Sequence, residues 1–231
     1  MSNPIYKELF HNLDRDYLTE QLIEACRVGS LEKVKYLLTS PDLDIHADIN
    51  GFMYSALNCA AEYGHLDIVK YMLTSPELKE HAKINNDYNP LIPACRDGHL
   101  DIVRYLLTSN ELKENVDIHV QNDAGFAWAC GRGHIDIIKY LMFSDELTEH
   151  AKIHAYNDNG FKTAFHSHQL EVIRYFIFDL NIEKTEEITK FLLENPYKDI
   201  EKMFEKRELS KSLEIELNSD NINSNAKKIK I

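Results

Sequence analysis

The stretch Gly64-His65-Leu66-Asp67-Ile68-Val69-Lys70-Tyr71 returns almost unchanged at residues 98–105 and 133–140, with looser copies at 29–36 and 168–175. The tyrosines that end the five copies follow one another at steps of 35, 34, 35 and 35 residues: Tyr36, Tyr71, Tyr105, Tyr140 and Tyr175. A fixed period of this length is the sequence signature of a solenoid of stacked units. The chain is therefore predicted to be elongated, with stability summed between neighbouring units.

Each unit is predicted to be a pair of short helices. Leu66, Val69 and Leu73 follow the Gly-His turn at helical spacing, and a small apolar stretch, Ala-Leu-Asn-Cys-Ala-Ala at 56–61, precedes it. The turn glycine supplies a positive φ at little cost. One such pair cannot bury its own apolar face, so neighbouring units must stack.

The repeats resemble the ankyrin family. Its pattern Thr-Pro-Leu-His-x-Ala-x-x-Gly-His is similar to Ser55-Ala-Leu-Asn-Cys-Ala60 followed by Gly64-His65, and to Asn89-Pro-Leu-Ile-Pro-Ala94 followed by Gly98-His99. The Trp, Gly-Tyr and Pro pattern of tetratricopeptide repeats, which have a similar period, is missing. The resemblance covers about residues 17–182. It implies an all-α solenoid of helix-turn-helix units with hairpin-like fingers near 46–55, 81–89, 115–124 and 150–159.

Four segments are expected along the chain. Residues 1–16 would form an N-terminal capping helix, with Ile5, Leu9, Phe10 and Leu13 as its apolar positions. Residues 17–182 would hold about five repeats, the last one degenerate. Residues 183–217 would add C-terminal helices that cap the stack, and the polar composition of 218–231 predicts a disordered tail. The Ser-Pro-acid exits at residues 40 and 75 predict an extra helical turn after each second helix.

Composition restricts the function classes. A net charge of −12 argues against nucleic acid as the main partner, because phosphate contacts require clustered Lys and Arg. No apolar run approaches the ~20 residues of a membrane span, and the N-terminus has no apolar signal core. Cys26, Cys95 and Cys130 lie at equivalent repeat positions, too far apart for disulfides, and are expected to be buried reduced thiols. A cytoplasmic protein is predicted, with the cytosol of a host cell as one version.

No catalytic residue, metal or cofactor is predicted. The sequence has no phosphate-binding glycine loop, no Gly-x-Ser-x-Gly elbow and no His-Glu-x-x-His. Cys95 with His99, repeated as Cys130 with His134, has ligand spacing, but two ligands do not make a structural zinc site. His65, His99 and His134 are interpreted instead as residues that brace the turn through backbone hydrogen bonds.

The resemblance implies that a partner protein binds the concave face, built from first helices and fingers. Aromatic residues and Arg are enriched at binding hot spots. An approximate row of Arg27, Arg96 and Arg132 favours an acidic or phosphorylated partner segment. The candidate partner-binding residues are Arg27, Tyr54, Tyr63, Tyr88, Arg96, Asp97, Phe126, Trp128, Arg132 and Tyr156.

A non-catalytic protein-protein interaction module is therefore the first hypothesis. Because composition is typical of an AT-rich genome, and ankyrin proteins of such bacteria and viruses often act on other organisms' proteins, an effector or counter-defence inhibitor is its concrete version. An enzyme or small-molecule binder that uses residues 183–217 is the alternative. Self-association through unpaired end repeats is a third possibility, and it leaves the oligomeric state open.

Overall fold

All regular secondary structure is helical in the residues that the computed structural model describes, which are 4–10, 13–51, 55–84, 89–195 and 197–228. Side chains are described for residues 5–217 within those ranges. Five helix pairs occupy the repeat region, which confirms the predicted fold class. They are α2 (Arg15–Arg27) and α3 (Leu31–Thr39), α4 (Ala56–Glu62) and α5 (Leu66–Thr74), α6 (Leu91–Asp97) and α7 (Leu100–Thr108), α8 (Val120–Arg132) and α9 (Ile135–Phe143), and α10 (Ala155–His166) and α11 (Leu170–Arg174).

The first helices of successive pairs form one layer and the second helices form another. Helices α2, α4, α6, α8 and α10 contact one another in series, and α3, α5, α7 and α9 do the same. Small residues allow the close approach of the first layer. A Cβ at Gly160 on α10 would lie 2.6 Å from the Phe126 ring on α8. One continuous apolar core runs through the stack, as a solenoid requires.

Each turn histidine bonds the preceding repeat. His65, His99 and His134 use Nε2 to donate to the backbone carbonyls of Arg27, Glu62 and Arg96, at 3.1, 2.7 and 3.0 Å respectively. The ring lies against the turn glycine of that repeat, where a side chain does not fit. Gly98 has φ +88°, and a Cβ there would lie 2.7 Å from the His134 ring. These histidines therefore brace the contact between repeats as well as the turn.

A ladder of cation–π contacts follows the second layer. The cation of one repeat lies over the tyrosine ring of the next repeat, 5.0–5.1 Å from its centroid. Such contacts contribute on the order of 0.5–1 kcal/mol each at exposed sites. The pairs are Lys35 with Tyr71, Lys70 with Tyr105, Arg104 with Tyr140, and Lys139 with Tyr175. The regular tyrosines are thus packing residues, and the cations belong to the same packing.

The predicted extra helical turn at the repeat exits is wrong. Ser40 and Ser75 end the helix with extended backbone, and each hydroxyl accepts from the amide two residues later, at 3.2 and 3.3 Å. The same serine carbonyl accepts from Nε2 of a histidine six residues later, His46 or His81. Because the side chain bonds a turn amide rather than a helical N–H, the chain turns back toward the stack.

The two ends of the stack are covered by helices. Helix α1 (Pro4–Phe10) packs Tyr6 against Tyr36 at 5.3 Å, whereas Ile5 and Leu9, predicted as packing positions, are exposed. Helix α11 continues into a π-helical turn (Tyr175–Asp179) before α12 (Glu186–Glu194) and α13 (Lys198–Lys228). The buried residues of the last two helices are Ile188, Phe191, Leu192, Ile200, Phe204 and Arg207.

Helix α13 extends to Lys228, where composition predicted a disordered tail from residue 218. Propagation of an existing helix adds one hydrogen bond per residue, so a polar composition alone does not end it. None of the helices in the described part of the chain combines the length and the hydrophobicity that a membrane crossing requires.

Candidate partner-binding cleft

Two successive fingers end in three consecutive residues with left-handed backbone. Gln121, Asn122 and Asp123 have φ of 48°, 64° and 57°, and Tyr156, Asn157 and Asp158 have φ of 48°, 60° and 59°. We call these segments, which interrupt the first turn of α8 and of α10, the left-handed turns. Asn and Asp tolerate this conformation, but a tyrosine in it is an outlier. The surrounding contacts must therefore hold the turns in place.

A buried aspartate closes each left-handed turn. His119 Nδ1 donates to Asp123 Oδ1 at 2.6 Å, and His154 Nδ1 donates to Asp158 Oδ1 at 2.5 Å. The Thr185 hydroxyl donates to Asp158 Oδ2 at 2.7 Å, which ties the second turn to the start of α12. Both aspartates are at most 4% exposed. Charge-assisted bonds to buried carboxylates are strong, so each pair fixes the turn that contains it.

A cleft of about 370 Å³ lies between the two left-handed turns. Its aromatic walls are Trp128 on α8, which is 43% exposed, and Tyr156, which is 50% exposed. The remaining lining residues carry amide, hydroxyl or methyl groups, and none is charged: Gln121, Asn122, Ala124, Ala127, Asn159 and Thr163. This volume lies within the usual range of ligand pockets, roughly 300–1,000 Å³. The cleft therefore presents solvent-exposed aromatic surface in a concave, preformed site.

The three arginines of the predicted row differ in their surroundings. Arg27 pairs with Glu24 at 2.6 Å. Arg96 pairs with Glu62 at 2.9 Å and Asp97 at 2.8 Å, and the hydrogen bond to Asp97 raises its pKa. Arg132 is exposed and makes no ion pair with any residue that the structure describes. Of the three, only Arg132 presents an uncompensated positive charge among the described residues.

The other candidate residues lie in varied places. Tyr63 is exposed at the end of α4, far along the stack from the cleft, and Asp97 is half-buried against Arg96. The assignment of Phe126 to a binding surface is wrong, because it is 3% exposed and stacks on Phe176 in the core. Tyr54 and Tyr88 lie outside the described residues.

Sequence reasoning missed the residues that shape the cleft. Gln121, Asn122 and Asn159 line it, and the His–Asp pairs hold its edges. A signal was present: His-x-x-x-Asp occurs at 119–123 and again, 35 residues later, at 154–158. An internal repeat of a polar pair, in phase with the apolar repeat, indicates a shared structural role.

Metal binding, thiol reactivity and a C-terminal cavity have less support as functional sites. The described residues contain no group of three or more His, Cys, Asp or Glu placed to hold a metal ion. Burial raises the pKa of the Cys26, Cys95 and Cys130 thiols, so they stay protonated and unreactive. A C-terminal cavity beside His166 and His168 measures about 80 Å³, too small for an ordinary substrate.

Comparison with protein families agrees with this architecture. Residues 22–122 match the family model for ankyrin repeats, in three copies. The match ends within the first left-handed turn, and the helix pairs α8–α9 and α10–α11 continue the same geometry beyond it. No curated protein matches the chain.

Proposed function

Because the chain is an ankyrin-repeat protein, and such repeats are generally protein-protein interaction modules, we propose that it acts by binding a partner protein at the cleft. The observation that carries the proposal is the pair of exposed aromatic rings, Trp128 and Tyr156, in a site whose edges are strained and held by buried aspartates. Aromatic anchors in preformed pockets dominate binding energy in protein interfaces. Preorganisation lowers the entropic cost of association.

The surroundings favour the cleft over the arginine row as the centre of the interface. Arg27 and Arg96 already have acidic partners in the free protein. Recruiting them would break existing ion pairs before new ones form, so the net gain would be small. Arg132 lies one helical turn from Trp128 on α8 and belongs to the same surface.

The proposed role of the cleft is non-catalytic. The cleft is lined by amide, hydroxyl, methyl and aromatic groups, and general acid–base catalysis would need a titratable group near neutral pH. An effector or inhibitor would use the same cleft to occlude a surface of its partner. That role is part of the proposal and rests on the family resemblance and on composition.

Panning a phage-displayed library of protein fragments against the full chain tests the proposal. Fragments selected on the wild type should lose binding to Trp128→Ala and keep it with Phe143→Ala, because Phe143 is 55% exposed but lies on α9, outside the cleft. Both variants should melt at the wild-type temperature. Selected fragments that bind Trp128→Ala as well as they bind the wild type would move the interface elsewhere.

A further inference from the structure

We propose that the cleft recognises an extended peptide in which proline stacks between Trp128 and Tyr156 and an acidic residue two positions away pairs with Arg132. This inference rests on the proposed function and specifies its partner class. Three features of the cleft support it: the neutral lining, the chemistry of the walls and the position of Arg132.

The absence of charge in the lining selects for an uncharged anchor. The eight residues that line the cleft are all neutral, although the whole chain carries a net charge of −12. Asp123 and Asp158, the nearest carboxylates of the two turns, are buried and bonded to His119 and His154. A basic side chain would find no partner among the lining residues and would lose hydration on entry.

The walls match proline in particular. Trp128 offers an indole N–H that can only donate, and the amides of Asn122 and Asn159 supply further donors. A proline segment presents backbone carbonyls as acceptors, has no N–H to satisfy, and is already extended before it binds. Aromatic-lined grooves bind such segments in other interaction domains.

Arg132 places the acidic residue. It lies four residues after Trp128 on α8, which is about 6 Å along a helix that rises 1.5 Å per residue. Two residues of an extended proline-type segment span about 6 Å at 3.1 Å each. The matching distances yield a proline and an acid separated by one residue. Arg132 is exposed and has no ion-pair partner in the described part of the chain, so it can pair without breaking an existing bridge.

Fluorescein-labelled synthetic peptides test the inference. The peptide sequences are palindromic, so the test does not depend on the direction in which the peptide binds. The probe SESPPSES carries an acid two residues from proline on both sides. Its matched controls are SESAASES, which lacks proline, and SKSPPSKS, which reverses the charge. By fluorescence polarisation on the full chain, the probe should bind at least tenfold tighter than either control.

Two variants locate the contacts. Trp128→Ala should lower the affinity for the probe about tenfold or more, as expected of a hot-spot aromatic. Arg132→Ala should abolish the preference for SESPPSES over SKSPPSKS, while Arg27→Ala, a paired arginine elsewhere on the stack, should leave it unchanged. Thermal melts of all three variants should overlay that of the wild type, since each residue lies at an exposed position.

The two proposals fail in different ways. Equal binding of SESPPSES and SESAASES, or cleft-dependent library fragments without proline, would overturn the proline inference and leave the protein-binding proposal standing. Failure of every peptide and every library fragment to bind the cleft would overturn both. Unchanged probe affinity in Trp128→Ala would place the peptide at another surface and overturn the inference.

Discussion

At the scale of single residues, the left-handed turns depend on two buried carboxylates. Asp158 accepts hydrogen bonds from both His154 and Thr185, and it has φ of 59° itself. A side chain that holds both a turn and the start of the next helix should be costly to remove. Asp123 has the His119 bond, and Glu149 Oε2 lies 3.6 Å from the other ring nitrogen.

Replacing Asp158 with Ala should lower the free energy of unfolding by about 3 kcal/mol, because two hydrogen bonds to a buried charged group are lost. Urea denaturation measures the change. Asp158→Asn keeps one acceptor oxygen and tolerates the backbone, so it should cost less. Asp145→Ala, at an exposed position, should change stability by less than about 0.5 kcal/mol. Equal losses for Asp158→Ala and Asp145→Ala would contradict the proposed role.

A substitution at Tyr156 should change binding affinity without changing stability. Its φ of 48° is unfavourable for an aromatic residue and unstrained for glycine. Tyr156→Gly should therefore leave the free energy of unfolding within about 1 kcal/mol of the wild type, because relief of strain offsets the flexibility of glycine. Affinity for a cleft ligand should fall about tenfold. Chemical denaturation and peptide titration of one preparation measure both; a large loss of stability would show that the ring packs structurally.

At the scale of helices, the contacts between repeats have two polar components in addition to the apolar core. One is the histidine that reaches the preceding carbonyl, and the other is the cation over the following tyrosine. Both recur with the period of the sequence. Each should contribute a small, local energy to one interface, as expected in an approximately one-dimensional stack.

A double-mutant cycle on Lys70 and Tyr105 should give a coupling energy of about 0.5–1 kcal/mol, using Lys70→Gln and Tyr105→Leu. The same lysine paired with Tyr140, one repeat farther on, serves as the control and should show no coupling. Thermal or urea unfolding provides the four stabilities. A coupling near zero for Lys70 and Tyr105 would mean that the contact contributes nothing beyond its apolar area.

The apolar period predicted the helix pairs, but not every residue within them. Phe126 occupies the position of Leu57 and Leu91, the leucine of the family pattern, so alignment of the copies would have assigned it to the core. The cleft is different, because nothing in Gln121 or Tyr156 favours left-handed backbone. The local His119–Asp123 and His154–Asp158 bonds hold it, together with the Thr185 bond to Asp158, and single-residue preferences cannot reveal bonds between side chains.

At the scale of the whole molecule, thiol burial links stability to pH. Burial raises the pKa of the Cys26, Cys95 and Cys130 thiols in the folded state, whereas unfolded thiols titrate near pH 8.5. Above that pH the unfolded state binds fewer protons than the folded state, so stability must fall as pH rises. Below about pH 8.5 the thiols are protonated in both states, so the stability is not reduced by their ionisation.

The free energy of unfolding should therefore decrease by up to about 1.4 kcal/mol per pH unit for each of these thiols above pH 8.5. Urea denaturation from pH 7.5 to 9.5 measures the slope. The Cys26→Ala, Cys95→Ala, Cys130→Ala triple variant should show a flatter profile, and Ala61 already occupies the equivalent position in the second repeat. Identical slopes in the two proteins would rule out thiol ionisation as the cause.

The two polar contacts that recur between repeats have a fixed direction along the stack. Each turn histidine bonds the preceding repeat, and each cation lies over the tyrosine of the following repeat. The two surfaces of an interior repeat, one facing the preceding repeat and one facing the following repeat, are therefore complementary to each other. A tandem duplication of one whole helix pair with its finger would meet a fitting neighbour on both sides, whereas an insertion of part of a helix pair would put histidine and carbonyl out of phase. The gene can lengthen in whole units without redesigning an interface, and each added unit supplies a new finger on which another cleft can evolve.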